Sequence, residues 1–145
     1  MKSNFLGLFL LLSLSLHAVA QRQSGAKSNT SAQKQKPTKL NMEKITNESV
    51  RKAFEALQAG DKSWYSFFTE NVKMTDDGRD IDFKRFFAGA LGKEKFVSID
   101  KVENDGKDIY GPFKAGSYGT FKVFFKFHQN ADGKFDRLDI GQAGY

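Results

Sequence analysis

The chain has no cysteine among its 145 residues, only two prolines and one tryptophan. Ahead of Met42 it has no acidic residue. Each scarcity excludes something. Without thiols there is no disulfide framework and no zinc–thiolate centre, and an oxidising compartment has nothing to mispair. The missing acids before Met42 locate the net charge of +6, because six of the 23 basic residues (Lys2, Arg22, Lys27, Lys34, Lys36 and Lys39) lie in that stretch. From Met42 onward 17 basic residues face 17 acidic ones, so that part is formally neutral and is not a basic nucleic-acid-binding domain. The length accommodates one domain, not two.

What is present begins with an address. Lys2, the apolar run Phe5–Leu16 and the small-x-small triplet Ala18-Val19-Ala20 make residues 1–20 a secretory signal peptide, cut between Ala20 and Gln21. The run is too short to span a bilayer, which needs roughly 20 apolar residues. The expected location is secreted or periplasmic. Residues 21–41 are polar, basic and poor in apolar side chains, and read as a disordered basic linker.

Residues 42–145 carry 13 of the phenylalanines, the tryptophan and all four tyrosines, enough aromatic area for a core. Val50, Ala53, Phe54 and Leu57 form one apolar stripe, predicting a helix over 48–59 that Gly60 ends as a left-handed cap. Asp61 is expected to cap a second helix carrying Trp64, Phe67 and Phe68. A short strand follows over 72–76, with Val72, Met74 and Asp76 on one face. A third helix is expected from about Asp80 through Phe83, Phe86, Phe87 and Leu91, stopped by Gly92. Beyond Gly92 the period becomes two. Strands are predicted over 96–103, 107–113, 118–129 and 134–142, joined by turns that force antiparallel neighbours. The fold class is α+β: three N-terminal helices on a curved antiparallel sheet. In the long strand Phe121, Val123, Phe125 and Phe127 face the helices, while Lys122, Phe124, Lys126 and His128 share the outer face.

The order of these elements, together with Ala56-Leu57-Gln58-Ala59-Gly60-Asp61, Phe68-Thr69-Glu70-Asn71-Val72 and Gly133-Lys134-Phe135-Asp136-Arg137-Leu138, resembles the nuclear transport factor 2-like superfamily. The similar branch is that of the SnoaL-like and ketosteroid-isomerase-like proteins, and the resemblance covers roughly residues 45 to 143. It implies a cone-shaped roll around an apolar pocket, but not one activity, since the family holds isomerases, cyclases, dehydratases and non-enzymes. In the steroid isomerases an Asp closing the strand after the second helix is the general base, and that place falls on Asp76. The two oxyanion-hole donors of those enzymes fall on Ala53 and Phe125, neither of which can donate a hydrogen bond.

Three readings follow. The first is a non-catalytic binder of a small hydrophobic molecule. Its pocket would be lined by Trp64, Phe68, Met74, Phe86, Phe87, Phe121, Val123, Phe125 and Leu138, with Asp76 and Gln142 as polar contacts. The second is an isomerase-, dehydratase- or cyclase-type enzyme with Asp76 as base and Tyr65 or Tyr118 as acid. The third is a homodimer joined through Lys122, Phe124 and Lys126, with a filled pocket. No cofactor is expected. No metal site is expected either, because Asp76, Asp77, Asp80 and Asp82 lack calcium-loop spacing and suit turns and caps. His128, the only histidine outside the leader, lies on the outer face, so a nucleophilic triad has no base. Intact-mass measurement of the protein recovered from an exporting host should give a chain beginning at Gln21; a mass retaining residues 1–20 would refute the signal peptide.

Overall fold

The computed structural model describes residues 40–145. The expected leader and nearly all of the expected linker lie outside the described residues. Leu40 packs on the core, and Asn41 accepts a hydrogen bond from the Glu43 amide at a short 3-10 turn, Met42–Lys44.

Helix α1 spans Glu48–Ala59. Asn47 caps it by accepting the Val50 amide, and Val50, Ala53, Phe54, Ala56 and Leu57 are buried along the predicted stripe. Gly60 ends it at φ 68°. The residues after Asp61 form a 3-10 helix, Lys62–Phe67, in place of the second α-helix, and Phe68 already belongs to the next strand.

Strand β1 (Phe68–Asp76) turns through Asp77 and Gly78 into β2 (Arg79–Ile81). The third predicted helix therefore starts late. Asp80 lies in β2, opposite Thr75, and α2 spans Phe83–Ala90 with Asp82 as its cap. The reason is local: Asp77 at φ 47° and Gly78 at φ 78° form a tight hairpin that sends 79–81 back along β1.

The strand expected over 96–103 is two short ones, β3 (Lys95–Phe96) and β4 (Lys101–Glu103). Between them the chain presses onto β5 (Asp108–Lys114): a Cβ on Gly111 would lie 2.2 Å from the Ser98 carbonyl oxygen. β6 (Thr120–Gln129) and β7 (Phe135–Gln142) complete the sheet.

The sheet order is β2-β1-β7-β6-β5-β3, with β4 also on β5. Pairing is antiparallel except between β1 and β7, which run parallel. Short turns made the other neighbours antiparallel, whereas β1 meets β7 across most of the domain, where no turn dictates direction. Among the described residues the architecture is thus two α-helices and two 3-10 segments on a mostly antiparallel curved sheet, with one hairpin placed before α2.

Two contacts tie the helices to this frame. The Gln58 side chain donates to the Phe96 carbonyl (3.0 Å) and accepts from the Phe96 amide (2.8 Å), standing in for a strand neighbour at β3. The end of α1 also lies against the turn after α2: a Cβ on Gly60 would sit 2.6 Å from the Gly92 Cα. Gly60→Ala combines left-handed backbone strain with a backbone clash. Urea denaturation should show a loss of about 2 kcal/mol or more; a loss no larger than that of an exposed-site alanine would refute this contact.

Candidate functional site

The sequence-predicted lining residues come together, but as packed core. Trp64, Phe68, Met74, Phe87, Val123, Phe125 and Leu138 are buried, and Phe86 and Phe121 are half-buried at its edge. Trp64 is the hub, with ring centroids 4.6 Å from Phe68, 4.8 Å from Phe87 and 6.1 Å from Phe83. A second group joins Phe96 to Phe54, Phe113 and Phe125 at 4.8–5.2 Å. These separations are those of rings in direct contact. The Trp64 Nε1–H is buried without a hydrogen-bond partner among the described residues. Gln142 does not join this group. It is exposed at the end of β7, and its backbone amide donates to Asp77 Oδ1 at 2.8 Å.

Asp76 ends β1 half-buried, opposite Arg79 and Ile140. Burial and then the neighbouring Asp77 push its carboxyl above the usual carboxylate range, against the pull of Arg79. The two places where an isomerase would carry donors are buried apolar side chains, Ala53 and Phe125. Of the tyrosines proposed as acids, Tyr118 is 73% exposed. Tyr65 is half-buried beside Phe83, where burial raises its hydroxyl pKa.

The outer face of the sheet is covered by its own side chains. Phe124 lies between Tyr110 and the Lys126 ammonium, and Lys122 sits over the Tyr145 ring at 4.4 Å. Tyr145 donates to Asp100, and burial together with that bond pushes its hydroxyl up to about 12. Nearby, Asp139 accepts from Thr75 Oγ1 (2.7 Å) and Arg137 Nε (2.8 Å), and its second oxygen lies 2.8 Å from His128 Nε2. Burial alone would raise the Asp139 carboxyl, but the bonds from Arg137, Thr75 and His128 outweigh it and hold it low. His128 is thus an outward-facing partner of a carboxylate. The other acids near β2 are in structural use, Asp82 at the α2 cap and Asp77 on Gln142. Among the described residues no group of three or more metal-ligating side chains occurs.

The concave feature with chemical content lies elsewhere. Between the 3-10 helix, the first half of β1 and the start of α2 is a groove of about 500 Å³. Phe68, Phe83, Val72 and Tyr65 form its apolar surface, and Lys62, Lys84, Lys134 and Glu70 its charged surface. Its origin is a fault in the sheet. β1 runs five residues from Phe68 to Lys73 while β7 runs two from Phe135 to Arg137, so residues 69–72 bulge away from the ladder. Only Phe68 of the sequence-predicted lining belongs to this groove. Phe68 and Phe83 also pack on Trp64, so groove and aromatic core share a wall. The lysines come from three separate elements, and no periodicity in the sequence signals their meeting.

No protein-family model and no curated protein sequence matches the chain. Solved structures do resemble it. A protein from Sphaerobacter thermophilus matches at TM-score 0.51 and 13% identity, over 67% of this chain and 94% of that one. The Anabaena (Nostoc) sp. PCC 7120 orange carotenoid protein, solved binding canthaxanthin, matches at TM-score 0.55 and 18% identity, over 87% of this chain but only 43% of that one. A Silicibacter pomeroyi DSS-3 protein with a cystatin-like fold matches at TM-score 0.50 and 14% identity, over 70% of this chain and 77% of that one. At these identities the likeness is one of fold alone, and it agrees with the helices and curved, mostly antiparallel sheet described above. No helix among the described residues is long and apolar enough to cross a membrane.

The raised Asp76 carboxyl gives a signed expectation. Its folded pKa lies above its unfolded one, so the charge costs stability above the folded value, and the cost fades as pH falls through the interval towards the unfolded value. Asp76→Asn should therefore raise the melting temperature at neutral pH, with the gain disappearing in acid; an equal change at both pH values would contradict it.

Proposed function

We propose that this chain is a non-catalytic binding protein for a small, largely apolar molecule, working outside the cytoplasm after removal of residues 1–20. The observation that carries the reading is the groove of about 500 Å³ whose surface includes Phe68, Phe83, Val72 and Tyr65. That volume suits a small-molecule site, with an apolar wall and charged groups at its surface. The expected site thereby moves from the interior of the cone, where the rings contact one another, to the outer side of the Trp64 cluster. Phe68 keeps the role assigned to it. Phe87 supports the site from behind through Trp64, while Met74, Val123, Phe125 and Leu138 are buried in the core.

Binding without turnover fits the surroundings of Asp76. A base for proton abstraction needs a preorganised donor for the charge that develops on the substrate. The places expected to supply it hold Ala53 and Phe125. The orange carotenoid protein, which shares the fold, holds an apolar pigment, a use of this architecture consistent with the reading.

Trp64 is the only tryptophan of the chain and packs on both Phe68 and Phe83. Titration of the full chain with dodecanol should therefore give a saturable change in tryptophan fluorescence. Val72→Gln, on the groove wall, should weaken that binding by about tenfold through the loss of roughly 1–1.5 kcal/mol of apolar contact. Absence of a saturable change with any chain-like apolar probe, in a chain that unfolds cooperatively, would overturn the proposal.

A further inference from the structure

Resting on that reading, we infer that the groove selects an acidic amphiphile, a molecule with an apolar chain and one terminal carboxylate. Three ammonium groups, Lys62, Lys84 and Lys134, line the groove against a single carboxylate, Glu70. Among the described residues none of the three lysines forms an ion pair, although other surface lysines do, such as Lys52 with Glu48 and Lys101 with Glu103. Lys134 donates to the Ser66 carbonyl, which fixes its ammonium at the groove and leaves further donors on it.

The placement of Lys84 points the same way. It is the second residue of α2, in a first turn that carries no acidic residue inside the helix. The Asp82 carboxylate already caps this end by accepting the Arg85 amide, and a further anion held here would offset the lysine at the positive end of the helix. The cations come from the 3-10 helix, from α2 and from the turn between β6 and β7, and all line the same groove as Phe68 and Phe83. An uncharged occupant gains only the apolar wall. A cationic occupant meets like charge. A carboxylate with a chain uses both halves of the surface.

The test uses the full chain at neutral pH and low ionic strength, read by Trp64 fluorescence and by calorimetry, with dodecanoate and dodecanol as probes. Dodecanoate should bind about tenfold more tightly than dodecanol, the preference shrinking with added salt. In the triple variant Lys62→Gln, Lys84→Gln, Lys134→Gln the preference should vanish, so that the two probes bind alike. All three lysines are exposed, so the variant should fold, and the single variants, each losing part of the preference, provide a second check. Equal binding of both probes to the original chain would overturn the charge selection and leave the apolar site standing. Failure of both probes to bind would overturn the site itself. A preference that survives the triple variant would assign it to other cations and refute the groove. Binding of phosphatidylglycerol vesicles through these lysines, without preference for free dodecanoate, would refute it in favour of a membrane surface.

Discussion

The contact on which the rest of this molecule depends is the ring packing around Trp64. The 3-10 helix supplies Trp64 itself, β1 supplies Phe68, α2 supplies Phe83 and Phe87, and β6 supplies Phe127. Four elements, of which β6 is distant in the chain, are therefore held by one side chain with no exposed surface. Such pairs contribute about 0.5–1.5 kcal/mol each beyond the area they bury. They also fix where the groove can be. Its apolar wall is the outer side of the same rings, so rigidity in the core becomes definition of the site. The buried indole N–H, which has no hydrogen-bond partner among the described residues, is a cost this packing has to offset.

Parts of this arrangement could be read from the sequence because they are local. Asn47, the apolar stripe and Gly60 together specify α1, since cap, period and stop are all encoded within a few residues of the helix. The alternation of β6 correctly separated Phe121, Val123, Phe125 and Phe127 from Lys122, Phe124, Lys126 and His128. The failures share one cause. Residues 79–81 look like the start of a helix, yet the hairpin at Asp77-Gly78 captures them as a strand. The split between β3 and β4 is a bulge, with residues 97–100 facing only 111–112 of β5 and Ser98 lying over Gly111, a placement no period in the sequence signals. The bulge of 69–72 and the meeting of Lys62, Lys84 and Lys134 are likewise products of tertiary placement. The candidate site was therefore legible as an aromatic cluster and not as a groove.

The two faces of the sheet divide the chemistry. The inner face is apolar, carrying Val123, Phe125 and Phe127 on β6 and Leu138 and Ile140 on β7. The outer face concentrates the polar networks, with Asp139 serving Thr75, Arg137 and His128, and Lys122 and Tyr145 serving Asp100 and each other. Because these partners are satisfied within the chain, its lysines there are already engaged. The lysines of the groove are without carboxylate partners, and this contrast distinguishes the two basic surfaces more clearly than charge counting does.

The parallel seam between β1 and β7 has a consequence in time. These strands lie next to one another in the sheet, but Met74 is paired with Leu138, across most of the folded length. A chain emerging from its N-terminal side makes α1, the rings of β1 and those of α2 long before it makes the strand that covers them. Until residues 135–142 arrive, the Trp64 cluster has no roof on that side and its aromatic surface is open to whatever is nearby. Long-range closure of this kind slows folding, because chain entropy must be surrendered before the contacts that reward it can form. The same seam that gives the finished sheet its centre makes the unfinished molecule dependent on protection from its neighbours.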